Sequence, residues 1–233
     1  MKTVIRCHIK NKERLDIAER TFISFIDKGI DNVHIMDDGS PLQNDVRKLC
    51  KDVGFTYHRA GGDPHTINGL VESLKLAPEG EKIFCCVDDI VLGKGAAWVL
   101  EQIQIKEIPA LEAMNIPWAT IGIFACYPKA VRKIYPGTLL WNMDWQILYA
   151  LNSHIYSPEI IKAALDKWKL IKCGELPFPK MCDDIWIARL AEEHKLLCFN
   201  SLDDFAQHTG AGARTFDMDA GSSYYKALCF VGE

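Results

Sequence analysis

Apolar positions along the first hundred residues switch repeatedly between strand-like runs and helical stripes. Thr3 to Ile9 reads as a strand, and Glu13 to Lys28 places Leu15, Ala18, Phe22, Phe25 and Ile26 on one helical face. Asn32 to Met36 is a second short strand. After Pro41, the spacing Val46, Leu49, Cys50, Val53 is the stripe of an amphipathic helix, and Phe55 to His58 is a third strand. Ile67, Leu70, Val71 and Leu74 mark a third helix, Lys82 to Val87 a fourth strand, and Ala96, Val99, Leu100 and Ile103 a fourth helix. Four β-then-α units in succession predict an α/β, Rossmann-like fold with a mainly parallel central sheet and helices on both faces.

Past residue 106 the alternation loosens. Thr120 to Cys126 is read as a strand, Trp141 to Leu151 as a helix, Ser157 to Asp166 as a further helix and Trp168 to Cys173 as a strand. A Pro-rich loop, Leu176-Pro177-Phe178-Pro179, leads into Cys182-Asp183-Asp184 and a helix with Ile187, Leu190 and Ala191 on one side. Lys195 to Phe199 is the last strand. The tail from Asn200 to Glu233 has no clear period and reads as loop or lid. The chain is thus expected to be one compact domain in two halves, residues 1–106 and 107–233.

The 233 residues are 48% hydrophobic and 25% charged, enough apolar material for a sizeable core in one large domain. A net charge of −4 and a pI near 6.0 exclude a surface built throughout to hold nucleic acid. No stretch approaches the roughly 18–20 apolar residues of a membrane span, and the N-terminus carries no signal-like run, so the expected location is the cytoplasm. Nine cysteines without a Cys-x-x-Cys pair read as reduced, buried thiols, with a zinc knot as the alternative.

In open α/β sheets the ligand lies beyond the carboxyl ends of the strands, so the residues just after each strand carry the chemistry. Lys10-Asn11-Lys12-Glu13-Arg14, after the first, has no glycine, which speaks against a dinucleotide fingerprint or a P-loop. Asp37-Asp38-Gly39-Ser40-Pro41 follows the second strand and Asp88-Asp89 the fourth, so both acidic pairs should face one crevice. Two adjacent carboxylates at the end of the apolar run Ile83 to Val87 need a countercharge, and Mg²⁺ or Mn²⁺ would supply it through oxygen ligands. The plain alternative makes Asp89 a cap and Asp88 a solvated acid. At Asp37-Asp38, a carboxylate beside a turning glycine can accept from a base N–H or a ribose hydroxyl; the alternative is an ordinary turn.

Taken together, these motifs resemble the GT-A glycosyltransferases, particularly the inverting enzymes of family 2. The resemblance rests on Ile35-Met36-Asp37-Asp38-Gly39-Ser40, on Thr66-Ile67-Asn68-Gly69-Leu70, on Val87-Asp88-Asp89 in the place of the DxD motif, and on Cys182-Asp183-Asp184 followed by Arg189-Leu190. It covers about the first 105 residues and then that helix. It implies that Asp38, with Asp37 nearby, contacts the donor nucleotide's base, that Asp88 serves the ribose or metal shell, and that Asp89 is the direct metal ligand. Asp183-Asp184 matches the place of the catalytic base, with Asp184 the second member. This chain has Asp183 where Glu is usual and lacks a strict Asp-x-Asp. A histidine in the C-terminal segment completes the metal site in several such enzymes, which points to His208. Residues 1–106 become the nucleotide-sugar half and 107–233 the acceptor half.

Further candidates complete the picture. Arg214, with Gly210 and Gly212, would fold over a diphosphate as a lid, and Arg59 is a second phosphate or base contact. Trp141, Trp145 and Tyr149 would line an acceptor pocket or pack in the core. Lys162, Lys167, Lys169 and Lys172 around Trp168 form a basic, aromatic cluster that reads either as a solvated face or as a site for a polyanion such as DNA with modified bases. The expected activity is a metal-assisted, inverting transfer of a sugar from a nucleotide donor, UDP-sugar first, to the hydroxyl of a glycan, small molecule or modified DNA. Asp184 would act as general base and Mn²⁺ or Mg²⁺ would assist the leaving diphosphate. The alternatives are a nucleotidyltransferase on a related fold and a catalytically silent nucleotide-sugar or carbohydrate-binding module.

Overall fold

A computed structural model of the chain describes residues 1–61, 66–123, 133–134, 140–143, 153–201 and 206–208. The first half alternates as the periodicity predicts: β1 (Lys2–Cys7), α1 (Lys12–Asp27), β2 (Val33–Asp37), α2 (Gln43–Val53), β3 (Thr56–Arg59), α3 (Thr66–Leu74) and β4 (Ile83–Val87). A short β5 (Ile90–Leu92) follows, then α4 (Ala96–Gln102), a π-helical turn over Ile103–Glu107, and α5 (Ile108–Ala113). Pro109 lies in the first turn of α5, where its missing N–H and its ring interrupt the regular ladder just beyond the widened turn. The second half holds β6 (Trp118–Gly122), β7 (Lys133–Ile134), β8 (Leu140–Met143), β9 (Ser153–Tyr156), α6 (Pro158–Lys172), α7 (Asp183–Glu193), β10 (Leu197–Ser201) and β11 (Ala206–His208).

Nine of these strands form one sheet in the order β3-β2-β1-β4-β9-β6-β10-β8-β7. β9 runs antiparallel to β4 and β6, and β8 antiparallel to β10 and β7; the other strands share one direction, so the sheet is mainly parallel and the fold is α/β and Rossmann-like. β11 pairs with β5 in a separate two-stranded sheet. One core packs Leu15, Ala18, Phe22 and Phe25 of α1 with residues of α2 and α4 on one face of the sheet. The other packs α3, α6 and α7 around Trp168, Trp186 and Tyr156. Each fully buried Phe or Ile stabilises the fold by about 1.5–3 kcal/mol, which is why these stripes fix the helices more firmly than propensity does.

Three expectations are corrected. Ile26 is 45% exposed, off the core face of α1. The segment Trp168 to Cys173 is no strand: α6 runs through it to Lys172, because Ile160, Ala164, Trp168 and Ile171 continue one buried helical stripe. Leu140–Met143 is a strand paired with β7 and β10, not the start of a helix, because pairing on both edges, with β10 far along the chain, outweighs its aromatic spacing. Trp145 and Tyr149 lie outside the described residues.

Candidate functional site

The chain moves outward from β1 to β2 and β3 and then crosses to β4 on the other side of β1, so the order of the sheet reverses between β1 and β4. At that carboxyl end, Arg6 lies opposite both Met36 and Val87, and Cys7 opposite Asp37. The Asp38 N–H donates to the Cys7 carbonyl at 2.8 Å, and the His8 backbone N–H donates to the Asp88 carboxylate. Both acidic turns therefore flank the end of β1, as their positions after β2 and β4 require.

The two members of the first turn face different surroundings. Asp37 is fully buried; its Oδ1 accepts the Ser40 N–H at 2.8 Å and its Oδ2 accepts the Tyr57 hydroxyl at 2.6 Å. Burial and then that hydrogen bond raise the Tyr57 phenol. Ser40 Oγ accepts the Ile9 N–H at 2.7 Å, and Gly39 takes φ +74° to make the turn. Asp37 thus closes the loop onto β1 and β3, and its two oxygens are engaged within the protein. Asp38 turns instead to α3, where a Cβ on Gly69 would come within 2.7 Å of its Oδ2, so only glycine lets the helix approach this carboxylate. Arg59, exposed at the end of β3, donates to Gln43 Oε1 and lines an open cleft of about 550 Å³ with Ser40, Asn44 and Asp45.

The second acidic turn has a countercharge inside the protein. Asn11 caps α1 by accepting the Arg14 N–H at 2.9 Å, which sets Arg14 in the first helical turn, pointing at the end of β4. Its guanidinium holds both oxygens of Asp88, with Nε 3.2 Å from Oδ2 and Nη2 on Oδ1, while Nη1 lies 2.8 Å from Asp89 Oδ2. Arg14, Asp88 and Asp89 are all buried. Two turns further along the same helix, Thr21 Oγ1 donates to the Asp88 carbonyl at 2.9 Å and Ser24 Oγ accepts the Leu92 N–H at 3.1 Å. Burial raises the Asp88 carboxyl; Arg14 opposes that shift and Asp89 adds to it. The backbone of β11 sets His208 opposite Ile90, the residue after Asp89. The donor set fits a resident Mn²⁺ or Mg²⁺ poorly, because three of its four carboxylate oxygens accept from Arg14 and the fourth, Asp89 Oδ1, is buried on the same carboxylate as one that does. Among the described residues, no group of three His, Cys, Asp or Glu is placed to hold a metal ion.

The third pair lies on the α7 side. Cys182 occupies the N-cap of α7 without a side-chain bond, so Asp183 and Asp184 stand in the first turn and neither serves as the cap. Asp183 Oδ2 accepts from Nη1 of Arg6, which joins α7 to the end of β1. Burial lowers the Arg6 guanidinium, but Asp183, Tyr156 and Cys85 together outweigh it and the net shift is upward. Tyr156, fully buried in β9, feels the charges of Arg6, Asp183 and Asp184, and burial keeps its phenol protonated far above the ordinary range. The Cys182 thiol is pushed up to about 11, by burial and then by Asp184, so it is not a thiolate nucleophile.

Sequence reading passed over Arg6, Arg14, Tyr57 and Tyr156. The signal for the arginines was present: each is a charge within a segment otherwise read as buried, Arg6 in the first strand and Arg14 four residues before Ala18 on the core stripe of α1. Two carboxylates offset part of the lysine cluster. Lys162 and Lys169 pair with Asp166 and Lys167 with Glu193, while Lys172 stands over the buried Trp168 ring at 5.5 Å. Arg214 and the tail beyond His208 lie outside the described residues, and no helix among the described residues is long and apolar enough to cross a membrane.

No family model matches the chain, and no curated protein matches it in sequence. Solved structures do match it. Glucosyl-3-phosphoglycerate synthase from Mycobacterium tuberculosis, in complex with Mn²⁺, UDP and glucosyl-3-phosphoglycerate, aligns with a TM-score of 0.54 at 13% identity over 89% of this chain and 71% of that one. A cytidylyltransferase from Leptospira borgpetersenii serovar Hardjo-bovis aligns with a TM-score of 0.53 at 12% identity, covering 88% of this chain and 76% of that one. S. aureus TarS gives 0.51 at 14% identity over 90% of this chain, which spans 61% of that one. These likenesses establish the α/β, GT-A-like fold of the chain.

Proposed function

We propose that this protein is a glycosyltransferase that moves a sugar from a nucleotide donor, UDP-sugar first, to an acceptor hydroxyl with inversion at the anomeric carbon. One observation carries the reading: three acidic pairs from distant parts of the chain gather around the carboxyl end of β1, at the point where strand order reverses. Asp38, beside Gly69, is the nucleotide contact, with Arg59 at the neighbouring cleft. Asp184, in the first turn of α7, is the general base for the acceptor hydroxyl. Arg6 holds Asp183 and so orients the first turn that presents Asp184. Residues 1–106 form the donor half and residues from 107 onward the acceptor half. The structural likeness to a synthase solved with UDP supports the donor class. Asp88 and Asp89 are engaged by Arg14 at the same end of β1.

A second reading, nucleotidyl transfer, is favoured by the likeness to a cytidylyltransferase. The two differ in product: glycosyl transfer or slow donor hydrolysis releases a nucleoside diphosphate, whereas nucleotidyl transfer releases pyrophosphate. Incubation with UDP-, GDP-, CDP- and TDP-sugars, read by chromatography of the nucleotide, is expected to release the diphosphate from one donor class. Asp184→Asn should lower that release about a hundredfold or more while UDP still binds. Pyrophosphate release from a nucleoside triphosphate would select the second reading, and the absence of both products and of nucleotide binding would end both.

A further inference from the structure

We infer that Arg14 is the resident counter-ion of Asp88 and Asp89, so that this corner takes no divalent cation and a nucleotide binds beside it with equal affinity in the presence or absence of one. The nucleotide half of the inference rests on the proposed function; the metal half does not.

Mg²⁺ and Mn²⁺ need carboxylate oxygens at about 2.0–2.2 Å with open lone pairs. Here both oxygens of Asp88 and one of Asp89 accept from one guanidinium, whose planar fork matches a carboxylate in geometry as well as charge. A divalent ion on either oxygen of Asp89, the buried Oδ1 included, would stand within a few ångströms of that guanidinium, and in a buried setting the repulsion is poorly screened. Nor can the arginine readily withdraw. Its helix is capped by Asn11, packed through Leu15, Ala18 and Phe22, and clamped to the same corner by Thr21 and Ser24. Arg14 is therefore built into the corner that it neutralises.

The test is a Mn²⁺ titration of the full chain followed by electron paramagnetic resonance, with calorimetry of UDP in Mg²⁺ and in EDTA. The wild type is expected to bind no Mn²⁺ at micromolar concentrations, and UDP affinity should agree within about twofold between the two buffers. Arg14→Met strips the carboxylates of their counter-ion and should create one Mn²⁺ site, lost again in Arg14→Met/Asp89→Asn. One Mn²⁺ bound per wild-type chain and abolished by Asp89→Asn would overturn the inference, as would an about tenfold tightening of UDP by Mg²⁺ that depends on Asp89. The wild-type arms decide the matter even if the Arg14 variants do not fold. A chain that binds neither Mn²⁺ nor any nucleotide removes the proposed function and leaves the assignment of Arg14 standing.

Discussion

The two acidic turns of the first half are spelled almost alike, yet the fold treats them in opposite ways. In Asp37-Asp38 the pair is divided: Asp37 is fastened by Ser40 and Tyr57, while Asp38 turns toward α3 at Gly69. In Asp88-Asp89 both members face one helix and share one guanidinium. Successive residues of a strand point to opposite faces, so a doublet that continues the strand direction straddles the sheet, whereas one that begins a tight turn into β5 can present both acids to the same neighbour. A carboxylate doublet therefore reports a strand end; the chain after it decides whether the acids are divided, locked or offered to a ligand.

Loss of Arg14 should separate the two turns most sharply. Arg14→Met leaves two buried carboxylates without their partner and should cost about 3–5 kcal/mol in urea unfolding. Neutralising the pair as well, in Arg14→Met/Asp88→Asn/Asp89→Asn, should recover much of that loss. If the single variant is as stable as wild type, the Asp88-Asp89 corner is not the lock described.

Smaller effects separate the members of the first turn. Tyr57→Phe takes a hydrogen bond from buried Asp37 and should cost about 1–3 kcal/mol with UDP affinity unchanged. Gly69→Ala should cost less in stability, about 1 kcal/mol, because Asp38 can rotate away from the new methyl, but that rotation should weaken UDP binding about tenfold by calorimetry. The reverse pattern, with Tyr57→Phe damaging binding and Gly69→Ala sparing it, would exchange the roles given to Asp37 and Asp38.

The smallest effect lies along the β2–β3 edge of the sheet, where His34 Nδ1 and His58 Nε2 are 2.8 Å apart. Burial lowers both imidazoles below 6.5, with Lys2 adding to the shift. A lowered folded value means that the folded state favours the neutral rings, so their contribution is present above about pH 6.5 and is lost as pH falls through the folded values. A modest drop in Tm between about pH 7.5 and pH 5.5 is expected, reduced in His58→Gln. An unchanged Tm difference in that variant would assign the pH dependence to the acids of the site.

Much of the first half was legible in the chain itself. The stripes of α1, α2 and α3 and the apolar run of β4 are local patterns whose periods survive folding, and the acids after β2 and β4 follow from strand polarity alone. β9 was not legible: Ser153–Tyr156 is four residues long and gains its place from β4 and β6 on either side. The end of α6 was misread because Trp168 to Cys173 is apolar enough for either structure, and length could not arbitrate.

Local periodicity fixes the succession of strands and helices through β4, the mainly parallel sheet that it implies, and which acids stand at the carboxyl edge. The partners of those acids are set by tertiary contacts: Arg14 on Asp88 and Asp89, Arg6 on Asp183, and Tyr57 on Asp37. The physical reason is range. Periodicity is written in neighbours three or four residues apart, whereas the countercharge of a buried carboxylate comes from whichever side chain folding brings within about 3 Å, here across 74 residues for Arg14 and Asp88 and 177 for Arg6 and Asp183.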